Sequence, residues 1–182
     1  MHYKMKLIKG DITSLAVDAI VNTANPTLLG GSNQLDELIH LKAGRKLLEA
    51  CFALKGCKIG MAKITDAYSL PAKHIIHTVG PIWLGGSTDE AQALTNCYQN
   101  ALKVAVKNQI RSIAFPNIST GCKNFPKNTA ATIAMISVNE FLEEHDEFID
   151  EVIFVCYDEE NYNYYLDWMA NSNGFRQNSS EW

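Results

Sequence analysis

The sequence predicts an α/β fold: a three-layer α/β/α sandwich around a mixed, mainly parallel sheet. Two observations predict it. Short, apolar, β-rich runs alternate with longer stretches whose apolar residues recur at helical spacing, and no linker, repeat or low-complexity segment interrupts the alternation. The 182 residues, 47% apolar and 20% charged, suit one domain that buries about 70% of its unfolded surface. The expected bounds are 1–171 for that domain and 172–182 for a polar C-terminal tail.

In chain order, Lys6 to Ile8 and Asp18 to Thr23 read as strands, the second running into the turn-prone Asn25-Pro26. Leu35, Leu38, Ile39, Ala43, Leu47 and Ala50 share helical spacing, so one amphipathic helix is expected over Gln34 to Leu54, with Asn33 as its N-cap. Ala62 to Tyr68 and His74 to Val79 are the next strands. Ser87 and Glu90 resemble a capping box for a helix ending near Asn108. Arg111 to Phe115 is a strand, Ala130 to Leu142 marks a helix, Val152 to Tyr157 is a buried-type strand, and Asn161 to Ala170 forms a last helix.

Composition excludes several function classes. Sixteen basic against twenty acidic side chains leave a formal charge of -4, which disfavours sheathing nucleic-acid phosphates, so no nucleic-acid partner is expected. No apolar stretch approaches the roughly 18 residues of a membrane helix. Met1 to Gly10 lacks the apolar core of a secretory signal, so a cytoplasmic location and no membrane partner are expected. The five cysteines form no C-x-x-C pair and the five histidines lack zinc spacing beside them. Reduced thiols, no metal and no cofactor are therefore expected.

In parallel sheets, ligands settle beyond the carboxyl ends of the strands. Two loops qualify there, Asn25 to Asp36 and Asn117 to Phe125. Each follows a strand and is expected to open a helix, so that free amides and the helix dipole face an anion such as a diphosphate.

Gly10-Asp11-Ile12-Thr13, then Val17 to Asn25, then Leu28-Leu29-Gly30-Gly31 resemble the opening of macro domains, most closely the MacroD type. Ile39-His40, Ala43-Gly44, Gly56-Cys57, Leu70 to Lys73, Ile76 to Pro81 and Phe115 to Gly121 continue the resemblance in order, over about Met5 to Trp168. The resemblance implies that the ligand is ADP-ribose or an ADP-ribosylated protein. Asp11 would accept the adenine amino hydrogen bond beside the Ile12 backbone, and Tyr157 would stack on the base. Gly30 and Gly31 in one loop, and Ser119, Thr120, Gly121 and Cys122 in the other, would approach the phosphates.

The family's asparagine, aspartate and histidine around the distal ribose correspond to Asn25, Asp36 and His40. Asn25 would position a ribose hydroxyl, Asp36 would help activate water, and His40, four residues on, would orient the carboxylate. Their alternatives are a turn former, a first-turn helix residue and a core histidine.

The pattern departs from its relatives at both loops. One residue is extra between Asn25 and Asp36, two glycines are gone, and Glu37 replaces a small residue. Such a change displaces a carboxylate by an ångström or more, or makes Glu37 the alternative base. In the other loop Lys123 stands for an aromatic ring, either pairing with diphosphate or solvated; Asn124 supplies a left-handed backbone and Phe125 retains an aromatic residue. Two functions follow from the resemblance: hydrolysis of ADP-ribosyl esters, on acidic side chains or in O-acetyl-ADP-ribose, and noncatalytic reading of ADP-ribose.

Overall fold

Burial of the central strands on both faces sets the layers in the computed structural model, which describes residues 2–177. Strands β1 (Met5–Lys9), β2 (Ala19–Thr23), β3 (Ala62–Asp66), β4 (His74–Thr78), β5 (Ser112–Phe115) and β6 (Glu151–Cys156) form one sheet in the order β1-β6-β5-β2-β4-β3. Every neighbouring pair is parallel except β3 with β4, at the edge. On one face Val21, Ile113, Val152 and Phe154 pack against helices α3 (Glu90–Lys107), α4 (Lys127–His145) and α5 (Glu159–Gln177). On the other, Ile20, Ile75, Ala114 and Val155 meet α1 (Gln34–Ala43) and α2 (Arg45–Ala53). Two-sided burial explains why these strands read as continuous apolar runs. Each fully buried Ile or Phe contributes about 1.5–3 kcal/mol.

The single helix expected over Gln34 to Leu54 is two. Gly44 takes φ 87°, ψ 178°, a conformation that a side chain would oppose, and its N–H closes α1 on the His40 carbonyl. The capping box also fails. Ser87 caps nothing; instead the Glu90 carboxylate turns back and accepts hydrogen bonds from the amides of Leu84, Gly86 and Thr88. The last helix is longer than expected, its backbone continuing to Gln177. Residues 178–182 of the expected tail lie outside the described residues. No helix among the described residues is long and apolar enough to cross a membrane.

Gly56 ties the turn after α2 to the loop after β2. At φ +80° its missing Cβ would stand 2.7 Å from the Pro26 carbonyl oxygen, which accepts the Cys57 N–H at 2.8 Å. Gly56→Ala is expected to destabilise the domain by about 1–3 kcal/mol through steric contact and left-handed strain. Urea unfolding checks this: the midpoint should fall with an unchanged slope.

Candidate functional site

A cavity of about 940 Å³ opens beyond the carboxyl ends of the parallel strands. Strand order arranges its wall. Gly10, Asp11 and Ile12 after β1, with Tyr157 and Asp158 after β6, make one end. Asn117 and Ser119 to Lys123, after β5, make the middle. Gly31 to Leu35 after β2, with Gly80 after β4, make the other. From β1 to β4 is four strand spacings, about 19 Å, so the groove is elongated, with an aromatic end and a glycine end.

The middle loop is built for an anion. Ser119 is held at φ 64° and Asn124 at 56°, with the Phe125 N–H bonded to the Ser119 carbonyl and the Asn124 N–H to that of Gly121. Among the described contacts, the amides of Thr120, Gly121 and Cys122 donate to no protein acceptor. Consecutive free amides of this kind form a concave anion site. The dipole expectation needs correction here, because α4 starts only at Lys127, beyond the loop. At the glycine end it holds: Asn33, Gln34 and Leu35, where α1 begins, line the cavity, and Asn33 caps the helix through the Asp36 N–H at 3.1 Å.

The loops after β4 and β5 are pressed together. A Cβ on Gly80 would lie 2.2 Å from Ser119 Oγ and 2.8 Å from Ile118 Cγ2. Lys123 crosses the same junction, its half-buried ammonium donating to the Gly80 carbonyl at 2.6 Å. Burial pushes the Lys123 pKa below its ordinary value. Phe125 does not line the cavity; it is buried beneath the loop against Trp83, with ring centroids 4.7 Å apart.

Asp11, Ile12, Gly31, Ser119, Thr120, Gly121, Cys122, Lys123 and Tyr157 come together on the wall. Tyr157 is 84% exposed, an open ring face available for stacking. Asp11 is already engaged, accepting from Thr13 N and Oγ1 and from Lys42 Nζ. Gly30 and His40 face a neighbouring cleft instead, and Asn124 is not on the cavity wall.

The three residues expected around the distal ribose are not assembled there. Asn25 Nδ2 donates to the Gly30 carbonyl, and its Oδ1 accepts from Thr27 N and Oγ1 and from Leu28 N. That is turn chemistry, holding Leu28 at φ 64°. Asp36 is fully buried. Its Oδ1 accepts from Asn22 Nδ2 at 2.7 Å and its Oδ2 from the Ser32 N–H at 2.9 Å. His40 Nε2 stands 3.7 Å from Asp36 Oδ1, beyond hydrogen-bond distance. The carboxylate on the cavity wall at this place is that of Glu37.

Beneath Asp36 lies a polar chain that sequence reasoning missed. Asn22 is 3.2 Å from His77 Nδ1, and His77 Nε2 is 3.0 Å from Thr65 Oγ1. Burial, helped by nearby His40, pushes the His77 pKa down to about 3. Lys42, Asp158 and Asn161 were also missed on the wall. Lys42 carried a signal, lying one helical turn after Leu38 on the same face, and Asp158 another, as a cap three residues before Asn161, whose N–H it accepts.

Fold and groove define an α/β domain that binds its ligand at strand ends. The chain belongs to the macro domain family: the model of the Macro domain matches residues 21–134. It is 52% identical over 163 residues to a macro domain-containing protein of Chlorobaculum tepidum, covering 90% of this chain and 94% of that protein. It is 47% identical over 169 residues to an Escherichia coli K12 protein named O-acetyl-ADP-ribose deacetylase, covering 91% and 94%. The Trypanosoma brucei macrodomain solved in complex with ADP-ribose superposes with a TM-score of 0.86 at 38% identity, over 91% of this chain and 69% of that one. A mutant Oceanobacillus iheyensis macrodomain with ADPR gives 0.86 at 37% identity, over 92% of each chain.

Two outcomes follow. Below pH 6.5 unfolded chains bind a proton on residue 77 that the native state refuses until about pH 3, so stability falls with falling pH across that window, by at most about 1.4 kcal/mol per unit. Urea unfolding at pH 7.5 and 5 should show a smaller pH-dependent loss for His77→Gln than for the unaltered protein. Gly80→Ala is expected to cost about 1–3 kcal/mol by overpacking, and calorimetry should show weaker anion binding as Ser119 is displaced.

Proposed function

We propose that the groove binds ADP-ribose and that the protein hydrolyses ADP-ribosyl esters, on acidic protein side chains or in O-acetyl-ADP-ribose. The observation that carries this reading is the order of chemistries along one groove: an exposed aromatic ring with Asp11, then three free amides, then a glycine loop with a carboxylate. An adenine, a diphosphate and a distal ribose match that order. The 47% identity to a protein named O-acetyl-ADP-ribose deacetylase supports it.

In this reading Glu37 is the catalytic carboxylate and Asp36 positions the loop. Water adds to the ester carbonyl carbon, giving its proton to Glu37. The bond from that carbon to the ribose oxygen then breaks, the ribose oxygen recovers the proton, and a carboxylic acid and ADP-ribose leave. A second reading, noncatalytic recognition of ADP-ribose, is favoured by one observation: the burial of Asp36 away from the cavity. The partners are then ADP-ribose or ADP-ribosylated protein rather than nucleic acid, consistent with the charge of -4. The unpaired cysteines support a reducing, cytoplasmic setting.

Calorimetry with ADP-ribose, and turnover of O-acetyl-ADP-ribose and of a mono-ADP-ribosylated protein, test the proposal. Glu37→Gln is expected to lower kcat about 100-fold or more with little change in ADP-ribose affinity, while Asp36→Asn lowers Tm. No heat at millimolar ADP-ribose rejects the ligand. Binding without turnover of either ester leaves the reader, and undiminished turnover by Glu37→Gln removes Glu37 from the chemistry.

A further inference from the structure

A second cleft, of about 500 Å³, adjoins the glycine end of the groove. Gly31 and Glu37 line both spaces, so the two adjoin at these residues. Beyond that junction Leu29, Leu41 and Leu48 converge on the wall, 43%, 79% and 43% exposed, with Arg45 as the charged residue at its side. His40 closes one side, its ring in van der Waals reach of a Cβ on Gly30, 3.5 Å away. Single exposed leucines are unremarkable, but three around one concavity that opens beside a carboxylate call for a ligand surface.

We propose that this cleft receives the acyl chain of an ester carried on the distal ribose, so that the preferred substrates are ADP-ribosyl esters of aliphatic acids longer than acetate. The inference rests on ADP-ribose binding in the main groove. With the distal sugar at the glycine end, whatever is esterified to it must leave the groove past Gly31 and Glu37. On the far side of these residues lies an aliphatic surface rather than open water. The ester carbonyl then sits at the junction beside Glu37, and the alkyl chain runs along Leu29, Leu41 and Leu48. An acetyl group ends before it reaches them.

Calorimetry with hydrolysis-resistant analogues reads this directly: ADP-ribose itself, and ADP-ribose bearing an acetamide or a hexanamide on the distal sugar. Each buried methylene is worth about fourfold in affinity, so the hexanamide should bind at least about tenfold more tightly than the acetamide. In Leu41→Ser and Leu48→Ser that ratio should fall toward one, thermal melts confirming that both fold; Leu29→Ser replaces either that does not. Turnover should show the same preference, with kcat/KM higher for the hexanoyl than for the acetyl ester. ADP-ribose binding with equal affinity for both amides overturns the acyl cleft alone, as does a preference that survives the leucine substitutions. A gain from an ADP-ribosylated glutamyl peptide but none from the hexanamide also overturns it. Absence of any heat with ADP-ribose overturns the underlying reading instead.

Discussion

The buried carboxylate of Asp36 is the interaction on which the glycine end of the groove depends. Burying a carboxyl group away from solvent is costly unless donors replace the water, and here Asn22 Nδ2 and the Ser32 N–H do so. Both donors have structural consequences. Asn22 belongs to β2, so the first bond fastens α1 to the sheet; Ser32 belongs to the loop, so the second sets the path of the chain along the cavity. The Asn33 cap on the Asp36 amide fixes the helix start at the same point. Beneath, neutral His77 fills the remaining polar space and reaches Thr65 on β3. Through Asn22 and His77, one carboxylate thus joins three strands, a loop and a helix start in a common geometry.

That arrangement also decides which neighbour faces the cavity. Adjacent helical residues point about 100° apart, so a helix that buries Asp36 against the sheet presents Glu37 to the cavity. Where the first carboxylate is occupied in holding the structure, the second stands on the cavity wall. Family membership and the shape of the groove are unaffected, because the amides after β5 and the aromatic end lie on other strands.

Much of this was legible in the sequence, for identifiable reasons. Short apolar runs such as Val152 to Tyr157 read as strands, and this one is buried on both faces as far as Cys156; alternation with helices leaves few topologies. Asn33 was readable as a cap because its side chain acts on its own neighbours. What escaped needed long-range information. Gly44 breaks a stretch whose periodicity continues across it, and nothing local distinguishes a tolerated glycine from one at φ 87°. Phe125 sits in a turn-rich loop yet enters the core, since Trp83, 42 positions earlier in the chain, offers it a ring. The direction of Asp36 depended on Asn22, a strand residue whose partner only the fold supplies.

The contact between Gly80 and Ser119 leaves no slack between two walls of the groove. A ligand that draws the amides after β5 toward its phosphates must also drag the segment after β4, and the Lys123 bond to the Gly80 carbonyl makes the linkage pull as well as push. The same junction reaches Trp83, whose amide donates to the Lys123 carbonyl, and the stretch pinned by Glu90. In a variant whose other two tryptophans, Trp168 and Trp182, are replaced by phenylalanine, indole fluorescence would report the filling of a site that Trp83 does not touch.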